Sequence, residues 1–170
     1  MSVHAFHDSC SSVQELIANS FLRDADLEHV LIIEDQAFIG MLIEDYLRAL
    51  GYSSFAFALS VEEAVSSARE KCPGLITADV QLSPGCGIDA VQQICQSKPI
   101  PVLYITGTAD LVRERCPGAA MISKPFGFAN FLSGVRAAYA ESDRAQPDVG
   151  SSAFLDAGST MKAVAPSGVV

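Results

Sequence analysis

The feature that most constrains the fold is a regular alternation of short apolar runs with segments of helical periodicity. Five runs have the length and composition of strands, at residues 30–33, 53–58, 75–78, 102–105 and 119–122. Between them, apolar residues recur three or four positions apart, as in Phe38, Leu42, Tyr46 and Leu50. The order is therefore a strand followed by a helix, repeated five times.

This order predicts an α/β fold with a five-stranded parallel sheet. Strands that read as continuous apolar runs are buried on both faces, so helices are expected on each side of the sheet. Helix boundaries agree with this reading. Residues 60–63, "SVEE", have the pattern of a capping box, and Gly51 stands where a helix ending at Leu50 favours glycine.

Composition excludes several classes of function. The chain has 170 residues, 49% of them hydrophobic, and a formal net charge of -9. That charge repels nucleic acid and anionic lipid, and no basic cluster reverses it locally. The five cysteines form no CxxC pair, and no apolar run is long enough to span a bilayer. We therefore expect a cytoplasmic protein with reduced thiols that binds neither nucleic acid nor membranes.

Polar residues stand at the ends of four predicted strands. Glu34 and Asp35 follow the first strand, and Asp79, Thr106 and Lys124 end the third, fourth and fifth. Because ligands of parallel sheets bind at the carboxyl ends of the strands, we expect these side chains to converge. Three carboxylates favour a hard divalent ion such as magnesium, while a lysine and a hydroxyl suit a transferred phosphoryl group. Asp79 is then the natural nucleophile.

This constellation resembles the CheY-like receiver domain of two-component response regulators. The resemblance covers about residues 29–140 and rests on "ED" at 34–35, Asp79, "TG" at 106–107 and "KPF" at 124–126. It implies a flavodoxin-like (βα)5 fold with Asp79 as the phosphoacceptor. It also implies that Asp35, Asp79 and the Gln81 carbonyl bind magnesium, with Glu34 acting through water. Thr106 and Lys124 would contact the phosphoryl group, and the Lys124–Pro125 bond would be cis.

Within this family, two stretches point to a narrower group. "DVQLSPGCGIDAVQQI" with "LYIT" and "ISKPF" is similar to the receiver half of PhyR-type stress regulators, and "PVLYITGT" partly matches the pattern of FAT GUY receivers. Ile105 and Thr108 depart from the latter pattern. Met121 occupies the position where the family often has an aromatic switch residue. Methionine is not aromatic, and the aromatic Tyr104 stands elsewhere, two residues before Thr106. Tyr104 and Met121 are interpreted as core residues.

Two other enzyme or binding classes compete with this interpretation. "GCGIDA", residues 85–90, matches the dinucleotide-binding GxGxxA pattern, but it follows the third strand after a loop, whereas that motif directly follows a strand. A phosphatase with an aspartate nucleophile needs a second aspartate two residues after Asp79 as its acid/base group, and Gln81 stands there. Both classes are therefore disfavoured.

The two ends of the chain differ from the central segment. Residues 1–28 are expected to be an extension with a short amphipathic helix, because residues 12–21 place Val13, Leu16, Ile17 and Phe21 on one face. This helix could pack on its own receiver or support a homodimer or partner contact. Residues 141–170 are rich in Ser, Gly, Ala, Pro and Asp and are expected to be a disordered tail.

Together these observations predict a single-domain response regulator. A sensor histidine kinase or phosphotransfer protein would donate a phosphoryl group to Asp79, and a downstream protein partner would read the result. The response regulator itself would assist its own phosphorylation, and it would not turn over a small substrate. The alternative is an adaptor that keeps the receiver fold only for binding and works independently of phosphorylation.

Overall fold

The computed structural model describes residues 29–96 and 98–145. Within these residues, one sheet contains five strands: β1 (Val30–Ile33), β2 (Phe55–Ala58), β3 (Leu75–Ala78), β4 (Val102–Thr106) and β5 (Met121–Ser123). Their spatial order is β2-β1-β3-β4-β5, and every neighbouring pair is parallel. This is the predicted five-stranded parallel sheet.

Five described helices connect and follow these strands: α1 (Ala37–Ala49), α2 (Val61–Glu70), α3 (Gly87–Ile94), α4 (Ala109–Arg115) and α5 (Phe128–Ala145). The chain moves from β1 outward to β2 and then returns to the other side of β1 for β3. Strand order therefore reverses between β1 and β3. This reversal opens a crevice at the carboxyl ends of the two strands, where ligands of such sheets bind.

The sheet separates two hydrophobic cores. On one face, Ile43 and Leu47 of α1 and Phe131 and Val135 of α5 pack with Ile32 and its neighbours. On the other, residues of α2, α3 and α4 pack against alternate strand residues such as Leu31, Ile33 and Ile76. All four residues of both β1 and β3 are buried, as expected for central strands covered on both faces.

Strand bounds agree closely with the sequence pattern for β1 and β3 and differ elsewhere by a few residues. The first two residues of the run at 53–58 lie outside β2, and β5 begins at Met121, two residues later than its apolar run. Residues 141–145 were expected to begin the disordered tail, and this expectation is wrong, because helix α5 continues through Glu141 to Ala145. Glu141 Oε2 accepts a hydrogen bond from the Ala120 N–H at 2.6 Å, and this contact holds the final turn against the entrance to β5.

Local capping follows the sequence signals. Ser60 Oγ accepts a hydrogen bond from the Glu63 N–H at 3.2 Å, and Glu63 Oε2 accepts one from the Leu59 N–H at 2.8 Å. The second bond reaches one residue earlier than the Ser60 N–H of an ideal capping box. Gly51 has a φ of 97°, which allows the chain to leave α1 in the left-handed conformation.

No helix in the described ranges combines the length and apolar character needed to cross a membrane. The predicted amphipathic helix at residues 12–21 lies outside the described residues, as does most of the predicted tail, from residue 146 onward.

Replacement of the α2 cap tests its contribution to stability. Ser60→Ala removes the side-chain acceptor and leaves the Glu63 N–H without it, so we expect the free energy of unfolding to fall by about 1 kcal/mol. Ser66→Ala makes the same chemical change at an exposed interior position of α2, where alanine is the better helix former, and should be neutral or slightly stabilising. Urea unfolding of both variants measures the difference; equal effects would contradict the capping role.

Candidate metal and phosphoacceptor site

Parallel pairing of β1 with β3 brings the acidic residues together. Ile33 is in register with Ala78, so Glu34 and Asp79 leave adjacent strands at the same level. The Asp79 N–H donates to the Ile33 carbonyl at 2.8 Å, which extends the pairing by one residue. Glu34 and Asp79 are both buried, with exposed fractions of 2% and 5%. Two carboxylates therefore lie in the crevice between β1 and β3.

Lys124 joins these two carboxylates. Its Nζ donates to Glu34 Oε2 at 2.7 Å and to Asp79 Oδ2 at 2.8 Å. The Lys124 N–H donates to the Thr106 carbonyl at 3.0 Å, so the residue continues the pairing of β5 with β4. The Lys124–Pro125 peptide bond is cis, as the family resemblance implied. The end of β5 thus supplies the cation of the crevice.

Burial and charge pairing act in opposite directions on these groups. Burial raises the pKa of Glu34, although the hydrogen bond from Lys124 partly opposes that rise. Burial alone would lower the pKa of Lys124, but the hydrogen bonds to Asp79 and Glu34 outweigh it, and its pKa is raised. The lysine is therefore held in its charged form, and it compensates the buried carboxylates.

Asp35 completes an acidic cluster. One carboxylate oxygen from each of Glu34, Asp35 and Asp79 lies within 4.8 Å of the others. Asp35 Oδ2 accepts a hydrogen bond from the Ser83 N–H at 3.0 Å, whereas its Oδ1 is buried and has no hydrogen-bond partner among the described residues. A buried carboxylate oxygen without a partner is costly unless a ligand satisfies it.

Charge and donor chemistry of this cluster fit a divalent cation. Three carboxylates and one ammonium leave two net negative charges in the crevice. All the available ligand atoms are oxygens, which magnesium prefers. The Gln81 N–H donates to Asp79 Oδ1 at 3.2 Å, so Gln81 also lies beside the cluster. The residues present therefore suit the magnesium ion that the family resemblance implied.

Thr106 ends β4 at the same edge, but its hydroxyl is engaged elsewhere. The side chain is fully buried, and Oγ1 accepts a hydrogen bond from the Thr108 N–H and shares one with Thr108 Oγ1, both at 3.0 Å. The family resemblance implies that this hydroxyl reorients toward the phosphoryl group on phosphorylation, and that expectation stays a prediction. In this structure its hydrogen bonds are with Thr108. Thr106 lies at the same edge of the sheet as the acidic residues because β4 ends there.

Tyr104 and Met121, which the sequence predicts to be core residues, lie on the α2–α4 side of the sheet. Tyr104 is 2% exposed, and its hydroxyl lies 3.7 Å from Cys116 Sγ. Met121 is half-buried against the same core. Their placement confirms the interpretation that both are packing residues.

Gly87 fixes the backbone at Asp79. A Cβ atom at Gly87 would lie 1.8 Å from the Asp79 carbonyl oxygen, so only glycine fits where α3 begins. The Gly87 N–H also donates to the Val80 carbonyl at 3.1 Å. Nearby Gly85 has a φ of 115°. Both glycines of "GCGIDA" thus have structural roles in the turn that follows Asp79.

Taken together, the fold and the acidic crevice define a class of protein: a doubly wound α/β domain with a carboxylate cluster and a lysine at its topological switch point. Residues 30–136 match the model of the response regulator receiver domain, which is more than half of the chain. The chain therefore belongs to the response regulator receiver family.

Individual relatives point in the same direction. The phyllosphere-induced regulator PhyR of Methylorubrum extorquens is 42% identical over 105 residues, which are 59% of this chain and 39% of PhyR. The chemotaxis protein CheY of Thermotoga maritima is 33% identical over 104 residues, 58% of this chain and 87% of CheY. The chain thus matches well under half the length of that PhyR.

Solved structures give the same result. The receiver domain of PhyR from Erythrobacter litoralis has a TM-score of 0.58 and 32% identity, and the match covers 73% of this chain and 95% of that domain. The anti-anti-sigma factor PhyR from Bartonella quintana has a TM-score of 0.63 and 30% identity, with 82% and 56% covered. These matches confirm the similarity to PhyR-type receivers.

Three residues near the site were not singled out from the sequence. Ser83 binds Asp35 through its backbone N–H, so no side-chain pattern marks it. Thr108 was noted only as a departure from a motif, although its spacing of two from Thr106 is typical of a hydroxyl turn. Gly87 also belongs to the pattern "GCGIDA", and its one sequence signal is that a glycine stands at the start of a helix after the Asp79 loop.

Substitution of Gly87 tests the close packing at Asp79. Gly87→Ala forces a methyl group onto the Asp79 carbonyl, and since backbone atoms cannot yield cheaply, we expect a loss of about 3 kcal/mol in unfolding free energy. Gly107→Ala is the matched control, because a Cβ there meets nothing within 4 Å. Chemical denaturation compares the two; similar stability of both variants would contradict the proposed packing constraint.

Removal of Lys124 tests the balance of charge without metal. Lys124→Met in EDTA leaves two buried carboxylates unpaired, and we expect a loss of about 3 kcal/mol at neutral pH. The pKa of Glu34 would then rise further above its unfolded value, so the folded state binds protons more readily than the unfolded state. The loss should therefore shrink as pH falls toward the ordinary pKa of a glutamate.

The matched control is Lys98→Met, which removes an exposed ammonium. It should change stability little and without this pH dependence. A destabilisation of Lys124→Met that stays constant or grows on acidification would show that lost packing, and not unpaired carboxylates, causes it.

Proposed function

We propose that this receiver is a magnesium-dependent phosphorylation switch in histidine-to-aspartate signalling, with Asp79 as the phosphoacceptor. The observation that carries this proposal is the shared ion pair of Lys124 with Glu34 and Asp79 beside the unsatisfied Asp35 oxygen. A nucleophilic carboxylate, a cation and a set of free oxygen ligands in one crevice are what phosphoryl transfer requires.

Asp79 would act as the nucleophile through one of its carboxylate oxygens. In the proposed reaction this oxygen attacks phosphorus in line with the phosphorus–nitrogen bond of a phosphohistidine on the donor protein. That bond breaks, its electron pair remains on the imidazole of the donor, and an acyl phosphate forms on Asp79. No proton has to leave Asp79, because the attacking group is already a carboxylate.

The remaining residues would hold charge and position. Glu34, Asp35, Asp79 and the Gln81 carbonyl would bind the magnesium ion, with Glu34 acting through water. When bound, the ion neutralises oxygens of the phosphoryl group. Lys124 is already within hydrogen-bond distance of Asp79 Oδ2, and its ammonium would pair with the phosphoryl group once that group is attached.

Thr106 would connect phosphorylation with a change of surface. Its hydroxyl is bound to Thr108, the residue that precedes α4. A hydrogen bond from Thr106 to the phosphoryl group would compete with this contact and release Thr108. Thr108 directly precedes α4, a helix of only seven residues, so its release would alter the surface around α4. A downstream protein would bind the altered surface.

The partner class follows from the family and stays a proposal for this chain. The donor would be a sensor histidine kinase or a phosphotransfer protein of the bacterial cytoplasm. Similarity to PhyR, named as an anti-anti-sigma factor in Bartonella quintana, supports a role in stress signalling. Residues 30–136 match the receiver family, and the chain matches 39% of the Methylorubrum extorquens PhyR.

Intact mass measurement tests the phosphoacceptor. Incubation with a small acyl phosphate and magnesium should add one phosphoryl group to the wild type and none to Asp79→Asn, because the amide is a poor nucleophile. Asp45→Asn is the matched control, since this aspartate is exposed on α1. Asp45→Asn should gain the same adduct as the wild type, and EDTA should abolish the adduct in both.

A contrary result has a defined meaning. An unmodified wild-type protein, or an adduct that persists in Asp79→Asn, would overturn the proposed chemistry. If partner binding were in addition unchanged by Asp79→Ala, the phosphorylation-independent adaptor would be the better account.

A further inference from the structure

An exposed apolar patch lies on α1 and the edge strand β2. Phe38 and Met41 of α1 are 88% and 61% exposed, and Phe57 and Leu59, at and after the end of β2, are 45% and 50% exposed. These are the large hydrophobic side chains that stand out from the surface of the described residues. We call them the α1–β2 patch. A group of exposed large apolar side chains on neighbouring elements marks a contact site.

Helix α1 and strand β2 lie against each other at the patch. A methyl group at Gly40 would lie 3.5 Å from the Phe57 ring, so α1 and the end of β2 are in contact. Further along, the Arg48 guanidinium lies 4.7 Å from the Phe55 ring centroid, which shows which side of α1 faces β2. Met41 precedes Arg48 by about two helical turns and lies on the same side. It therefore lies on the side of α1 that faces β2, whereas Phe38, in the first turn, projects from a different side of the helix.

The patch borders the acidic crevice. Helix α1 begins at Ala37, two residues after Asp35, and Phe38 lies in its first turn. Any segment that covers the patch would therefore lie beside the entrance to the Asp79 site. This surface has no function in the phosphoryl transfer proposed above, and the inference that follows does not depend on that chemistry.

We propose that residues 12–21 of the same chain form a helix that covers the α1–β2 patch. This segment has the pattern of an amphipathic helix, with Val13, Leu16, Ile17 and Phe21 on one face. A ten-residue helix is about 15 Å long, which matches a patch that spans the first turns of α1 and the end of β2. Two apolar faces of one chain would thus bury each other.

The connection is long enough for this contact. Residues 22–28 link the segment to His29, which directly precedes β1. Seven residues in extended conformation span about 24 Å. The patch lies about 13 Å further along the strands from His29 and about 10 Å above the sheet, on the basis of strand rise and helix-to-sheet spacing. The linker can therefore reach it without being fully extended.

Charge and tethering favour this segment over a second copy of the chain. Each copy has a net charge of -9, so association of two copies works against mutual repulsion. Residues 12–21 contain a single charged residue, Glu15. A short tether also gives the segment an effective concentration in the millimolar range, about what a modest apolar contact needs.

Methionine methyl groups provide a direct test in the full-length chain. The sequence has four methionines, Met1, Met41, Met121 and Met161, so methyl-labelled protein should give a resolvable NMR spectrum that Met41→Leu assigns. Relaxation caused by a soluble gadolinium chelate measures the exposure of each methyl group. We expect the Met41 methyl to be protected in the wild type and severalfold more exposed in Leu16→Asp/Ile17→Asp.

The matched control variant is Ala18→Asp/Asn19→Asp, which adds two carboxylates to the opposite face of the segment and should leave Met41 protected. The Met121 methyl reports on the fold and should not change in any variant. Equal exposure of Met41 in the wild type and in the Leu16→Asp/Ile17→Asp variant would overturn the proposal. Protection that disappears on dilution would also overturn it, in favour of a second copy.

Discussion

The shared ion pair of Lys124 with Glu34 and Asp79 is the interaction on which the site depends. Two carboxylates at the ends of neighbouring buried strands repel each other and lose hydration, so without a cation the crevice would favour protonation or opening. The lysine directly follows β5, the strand at the far edge of the sheet, and lies 90 residues after Glu34. The ion pair therefore forms only when the strand order, the turn after β5 and the charges of the crevice are all in place.

Much of this arrangement could be predicted from the sequence, because buried parallel strands leave a simple apolar signature and polar residues mark their ends. The positions of Glu34, Asp35, Asp79 and Lys124 follow from that pattern and from the sheet alone. Contacts through backbone groups do not. The Ser83 N–H on Asp35 and the close approach of Gly87 to Asp79 depend on the path of a loop, which residue type barely encodes.

The hydroxyl of Thr106 shows a second limit. Its place at the end of β4 is determined by the strand, whereas its hydrogen bonds depend on a rotamer and on the residue two positions later. Likewise, the sequence predicts too early an end for α5, because residues 141–145 are polar or small. Glu141 is held by one hydrogen bond to the Ala120 N–H, a tertiary contact with no local signal. Side-chain direction and helix ends are set by partners distant in sequence.

The division of the interior into two cores by the sheet has an evolutionary consequence. Residues of α2, α3 and α4 share no side-chain cluster with those of α1 and α5, since the buried strands stand between them. Substitutions that reshape the outer surface of one layer can therefore accumulate while packing in the other layer stays intact. A domain built this way can acquire a new binding specificity on one side and retain the chemistry at the strand ends, which both layers support.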